Sequence, residues 1–142
     1  MITFCDLQRE TKVFFDLYWK QEYGQHPSWS GHWIFEGTIP QNDKRGCYAL
    51  FNGFNIIYIG AGIGKSTDYY RGAGLGKRLK NYWRVNRNNP GKQYQPRDKW
   101  KDVTSIITIG FGEDHFPLAA ALKVYLIGKL NPSRNSKHKS VA

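Results

Sequence analysis

The sequence predicts an α/β fold, a small and mainly antiparallel sheet of three strands flanked by helices, with an N-terminal helical extension. Three observations predict it. The apolar runs CYALF and FNIIYIG flank the dipeptide Asn52-Gly53. Asn-Gly favours a two-residue hairpin loop, because both central residues of a type I′ turn need positive φ, so residues 47–60 read as a β-hairpin. The run VTSIITIGF at 103–111 is rich in β-branched residues and reads as a third strand. Stretches with apolar residues at helical spacing stand before the hairpin, after it and near the C-terminus.

Taken in order, residues 6–22 read as an amphipathic helix. Val13, Phe14, Leu17 and Tyr18 form its apolar stripe and Asp6 its N-cap. Residues 23–44 form an irregular, aromatic-rich connector with a short strand at His32–Phe35. After the hairpin comes a long Gly-rich loop at 61–76. LGKRLKNYWR at 75–84 reads as a helix, and 86–101 as an exposed basic loop. The segment GEDHFP starts the last helix, with Asp114 or His115 as cap and Pro117 in the first turn. Asn131-Pro132 ends it. The divisions that follow are an extension at 1–45, a main domain at 46–135 and a frayed basic tail at 136–142.

A chain of 142 residues suits one domain. With 40% hydrophobic and 15% aromatic residues it has enough apolar matter for a core. Twenty-one Lys and Arg against eleven Asp and Glu leave a net charge of +10. So basic a domain attracts polyanions, nucleic acid first and anionic membrane second. The plainer reading is a basic protein kept soluble by its charge. Cys5 and Cys47 are isolated, which argues against a disulfide framework or a zinc site. The N-terminus lacks the basic and apolar regions of a signal peptide, and Lys123 interrupts the longest apolar stretch near the C-terminus. The expectation is a cytoplasmic protein without membrane association; self-association is left open.

The stretch IYIGAGIGKST imitates a phosphate-binding P-loop. Its spacing fails, because the residue five before Gly64 is Ile59 and Gly60 misses by one. The following TDYYRGAG is also a poor helix start, where a P-loop needs one.

At the hairpin the sequence resembles the GIY-YIG nuclease family. Gly46-Cys47-Tyr48 stands at the family's Gly-Ile-Tyr strand, and Tyr58-Ile59-Gly60 is its Tyr-Ile-Gly strand unaltered. GLGKRLKNYW resembles the arginine-bearing helix, with Arg78 as that arginine and Tyr82 one turn on, where the family often has His or Tyr. LKVYLIGKLNPSRN resembles the last helix, with Asn135 as its closing asparagine. The agreement covers residues 46–135. The long loop 61–76 is similar to that of the family's restriction-enzyme branch. The resemblance implies a DNA endonuclease that hydrolyses phosphodiesters with one Mg2+, its catalytic residues being Tyr48, Tyr58, Arg78, Tyr82 and Asn135.

The residues themselves allow those roles beside plainer ones. Tyr48 and Tyr58 lie on paired strands and can approach each other. Their phenols could order a water or take its proton, or simply pack a half-buried face. Arg78 can hold a phosphate through two parallel hydrogen bonds, or belong to a solvated basic face with Lys77, Lys80 and Arg84. Asn135 could bond a phosphate or orient a neighbour, or serve as ordinary helix-exit chemistry. DNA backbone is expected on Lys65, Lys77, Lys80, Arg84, Arg87, Lys92, Arg97, Lys99 and Lys101.

One departure stands out. Twelve residues before Asn135, where the family has its metal-binding glutamate, this chain has Lys123. A lysine cannot ligate a hard cation, which takes oxygen ligands. Its helix neighbours Ala119, Ala120, Leu126 and Ile127 are apolar, so the ammonium needs a cleft to reach. Three explanations stand open: a pseudo-nuclease that binds without cutting, a nuclease carrying an inactivating Glu→Lys change, or a metal held elsewhere, with Glu113, Asp114 and His115 at the start of the same helix. The chain as written is expected to cut poorly or not at all. The rivals from other classes are a non-catalytic DNA-binding module and a protein-interaction domain using Trp29–Phe35.

Overall fold

The computed structural model describes residues 1–64, 74–87 and 92–139. Its centre is the strand β1 (Arg45–Asn52), which pairs antiparallel on one side with β2 (Asn55–Gly62) and on the other with β5 (Ser105–Phe111). From Gly46 to Phe51 every residue of β1 is buried, because helices or connectors cover both faces of the sheet.

On one face, Cys47, Ala49 and Phe51 of β1 and Ile107, Ile109 and Phe111 of β5 meet two helices. These are α1 (Phe4–Tyr18) and α3 (Pro117–Leu130), which contribute Leu7, Phe14, Phe15, Leu122 and Leu126. On the other face, Tyr48, Leu50 and Ile106 pack under Trp33, Phe35 and Ile39 of the connector and under the short helix α2 (Leu75–Leu79). The N-terminal 45 residues therefore share the core of the sheet. The chain between residues 30 and 33 also pairs with the outer edge of β5, through Ser30 N–H to Thr108 O at 2.7 Å and Trp33 N–H to Ile106 O at 2.8 Å.

Several elements differ from expectation, each for a local reason. The first helix is Phe4–Tyr18 and its cap is Thr3; Asp6 is the other half of a capping box, accepting from Thr3 N–H at 2.8 Å. Its buried face is Leu7, Thr11, Phe14 and Phe15, while Val13, Leu17 and Tyr18 are exposed. The hairpin loop is Gly53-Phe54, one residue later than expected, with Asn52 paired to Asn55. Gly53 has φ +62° and Asn52 has no positive φ, the pattern of a loop led by glycine at its first central position. The expected short strand His32–Phe35 reduces to a single bridge, Trp33 to Ile106.

The expected helix at 75–84 stops at Leu79. Residues from Trp83 turn away to form β3 (Trp83–Val85), which pairs antiparallel with β4 (Tyr94–Pro96). That ribbon occupies part of the segment expected to be an exposed loop. Trp83 packs at 4.6 Å ring-centroid distance on Tyr94, and burial of this aromatic surface outweighs the weak helical preference of a few residues. Neither Asp114 nor His115 caps the last helix: Phe116 is its N-cap, and Pro117 fills the first position. Among the described residues no helix is long and apolar enough to cross a membrane.

Candidate functional site

The site is built on the face of the sheet that carries Tyr48. Cross-strand pairing sets Tyr48 opposite Gly60 and Leu50 opposite Tyr58, so the two tyrosines are diagonal neighbours. A bulge makes this so. Pairing shifts between Leu50 and Phe51, leaving Ile57 as an extra residue on β2. Ile57 and Tyr58 thus face the same side as Tyr48, and Ile56 and Ile59 the other. Gly60 leaves the space that the Tyr48 ring fills, for a Cβ there would overlap the phenol. A Cβ on Gly46 would collide with the backbone carbonyl of Ile109.

Tyr82 joins the pair although it lies past the end of α2. Its hydroxyl is 2.6 Å from that of Tyr48. The rings of Tyr48, Tyr58 and Tyr82 form a triangle with centroid separations of 5.3 to 6.2 Å. Trp100 closes it against Tyr58 and Tyr82 at 5.3 and 4.9 Å. Burial pushes the Tyr48 phenol up to about 12, against the opposing pull of Tyr82 and Arg78. Burial, and then the neighbouring Tyr48, also raises the Tyr82 phenol. Both phenols therefore stay protonated at neutral pH, and one of the two donates to the other. Hydrogen bonding to Tyr48 favours the charged form of the Arg78 guanidinium. Tyr48 and Tyr82 thus support Arg78 from behind, and Tyr58 faces outward.

In front of this support lies a cleft of about 250 Å³ lined by Tyr58, Ile59, Arg78, Lys123, Ile127 and Asn135, with Ser136, Lys137 and His138. It gathers four of the singled-out positions, Tyr58, Arg78, Lys123 and Asn135, from four separate stretches of chain. Lys123 is half-buried on α3 and reaches this cleft. Its neighbour beneath is Cys47, whose thiol donates to Ala119 O at 3.0 Å. Burial pushes that thiol up to about 12, so Cys47 is an inert core residue.

Asn135 has a positioning role. Its Oδ1 accepts from Ile59 N–H at 2.9 Å and its Nδ2 donates to Ile59 O at 2.8 Å. Together with Arg134 N–H to Ile57 O at 2.9 Å, this covers the open edge of β2 as a further strand would. The amide is thereby committed to the backbone beside Tyr58, which favours orienting a neighbour over grasping phosphate.

Ser136, Lys137 and His138 belong to the tail expected to fray, yet the anchoring of Asn135 places them in the cleft wall. Their signal is their basic character next to the closing asparagine. Arg134, which the sequence reading does not single out, stacks its guanidinium 3.8 Å over the Trp100 ring and bonds Asp102 at 3.1 Å.

The expected DNA-contacting residues divide. Lys80, Arg84, Arg87 and Arg97 line one groove of about 620 Å³ along the β3–β4 ribbon. Two of these arginines also hold structure, Arg84 pairing with Asp98 at 3.1 Å and Arg97 Nε donating to Lys80 O at 2.9 Å. Lys77 lines a neighbouring groove with Arg78 and Asn81. Lys92, Lys99 and Lys101 are exposed. Lys65 lies outside the described residues.

The residues of the cleft do not fit a divalent cation. Its described lining contains no carboxylate, and an ammonium occupies the position of the expected ligand. Among the described residues no group of three His, Cys, Asp or Glu is placed to hold a metal ion. At the start of α3, His115 is engaged in stacking 4.0 Å from the Tyr23 ring. In the aromatic segment Trp29–Phe35 the rings of Trp33 and Phe35 are buried, 4% and 2% exposed, while Ile34 between them is 51% exposed. No protein-family model matches this chain, and neither a curated protein nor a solved structure does.

Proposed function

We propose that this chain is a DNA-binding protein of GIY-YIG nuclease type, with its phosphate-binding side kept and its cutting impaired by Lys123. The observation that carries the reading is the shared cleft of Tyr58, Arg78, Lys123 and Asn135. These residues come from distant parts of the sequence and are among those the family resemblance singles out. The hairpin bearing Tyr48 and Tyr58, with β1 in the middle of the sheet, is a second support.

In this cleft Arg78 meets a backbone phosphate through its guanidinium, held by Tyr48, which Tyr82 holds in turn. Tyr58 donates a hydrogen bond from the cleft wall. The basic ribbon with Lys80, Arg84, Arg87 and Arg97 grips neighbouring phosphates and supplies a salt-sensitive share of the affinity. No step of hydrolysis follows from these residues alone, since none of them activates a water or holds a metal.

Plasmid cleavage with magnesium, comparing this chain with Lys123→Glu, tests the reading. Cutting only by the variant supports a nuclease site disabled at one position. DNA binding by both without cutting favours a fold kept for binding, and the catalytic roles of the tyrosines are then dropped. Cutting by the unaltered chain that disappears in Arg78→Ala overturns the impairment.

A further inference from the structure

We infer that Lys123 replaces the metal electrostatically, so that this cleft binds DNA phosphate without a divalent cation. The inference rests on the nuclease-type reading above and deepens it. A carboxylate with a bound divalent cation carries one net positive charge, as does an ammonium. Exchanging the pair for a lysine therefore conserves the net charge facing the phosphate while removing the metal-bound water.

The surroundings suit that role. Lys123 shares its cleft with Arg78, Lys137 and His138, which approach from other segments. No carboxylate stands among the described lining residues, and neither Lys123 nor Arg78 forms an ion pair among the described residues. Among the described residues their charge is therefore not neutralised by a carboxylate. The aliphatic stem of Lys123 has Ile59 and Ile127 in the same wall, which lets the stem rest on apolar surface while the ammonium meets the anion. An ammonium offers donors and charge but no bound hydroxide, so the site holds phosphodiester and leaves it intact.

The test is fluorescence anisotropy with a short labelled DNA duplex of mixed sequence, at fixed moderate salt, in EDTA and then in Mg2+. The unaltered chain binds in EDTA, and Mg2+ does not strengthen its binding. Lys123→Glu loses about tenfold or more in EDTA, because one cation facing the phosphate is replaced by a repelling charge. It regains binding, or begins to cut, when Mg2+ is added. Lys123→Arg keeps metal-free binding. Circular dichroism checks that each variant is folded, and Lys123→Gln, expected to bind more weakly in EDTA, carries the comparison if Lys123→Glu is not. Binding by the unaltered chain that requires Mg2+ overturns the inference, as does binding by a folded Lys123→Glu or Lys123→Gln in EDTA that matches the unaltered chain. Either result leaves the DNA-binding reading standing, whereas no duplex binding by any form removes both.

Discussion

The Tyr48 and Tyr82 hydroxyls lie 2.6 Å apart between two buried rings, joining the central strand to the turn that follows α2. This contact fixes the support on which Arg78 rests. Replacing either partner by Phe removes this buried hydrogen bond, at a cost of about 1–3 kcal/mol. Replacing both removes the same bond only once, although Arg78 then also loses its bond to Tyr48. Urea denaturation of Tyr48→Phe, Tyr82→Phe and the double variant should therefore show the double variant destabilised by less than the sum. Strict additivity in that cycle would mean the two hydroxyls act independently.

Stability should fall at alkaline pH. Tyr48 and Cys47 are raised to about 12 from ordinary values of 10.0 and 9.0, in both cases chiefly by burial. The folded state keeps these protons after the unfolded chain has released them. The contribution is thus fully present below about pH 9 and is lost as pH rises toward about 12. Denaturation midpoints followed through the alkaline range should decline, and less steeply in Cys47→Ala at equal starting stability. A level profile across that range contradicts the burial argument.

Gly60→Ala should damage the site through the Tyr48 ring. A Cβ at Gly60 overlaps the phenol, and overpacking of this kind costs about 1–3 kcal/mol. Gly64→Ala is the control: among the described residues nothing lies within 4 Å of its Cβ position, and its stability should change by no more than about 0.5 kcal/mol. Thermal melts of the two variants, with anisotropy on a DNA duplex, check both effects. Equal melting temperatures would show that the sheet yields at Gly60 without penalty.

The basic ribbon should govern salt dependence. Arg87 and Lys92 are exposed. Their joint replacement by Ala should lower the slope of log affinity against log salt by about 0.9 for each phosphate no longer neutralised. Arg97→Ala should in addition reduce stability, because its Nε holds the Lys80 carbonyl. An unchanged salt slope in the Arg87/Lys92 variant places the DNA elsewhere.

The sequence by itself determined the three strands, the last helix, the strong positive charge and the aromatic matter for a core. Those features are written in periodicity and composition, which are local. Which face each tyrosine takes is not local. A turn centred on Asn52-Gly53 pairs Phe51 with Phe54 and Cys47 with Tyr58, which sends Tyr58 to the face opposite Tyr48. The observed loop at Gly53-Phe54 and the bulge at Ile57 bring both to one side. Packing chose that register, for Ile56 and Ile59 are needed in one core cluster while Ile57 belongs to the other. The same holds for the end of α2, where pairing of Trp83–Val85 with Tyr94–Pro96 overrides a short helical pattern. It holds again for the tail, where two bonds from Asn135 to Ile59 turn an apparently frayed end into a wall of the cleft. Lys123 was legible as an anomaly on an apolar face, and only the tertiary structure supplied the basic cleft into which it reaches.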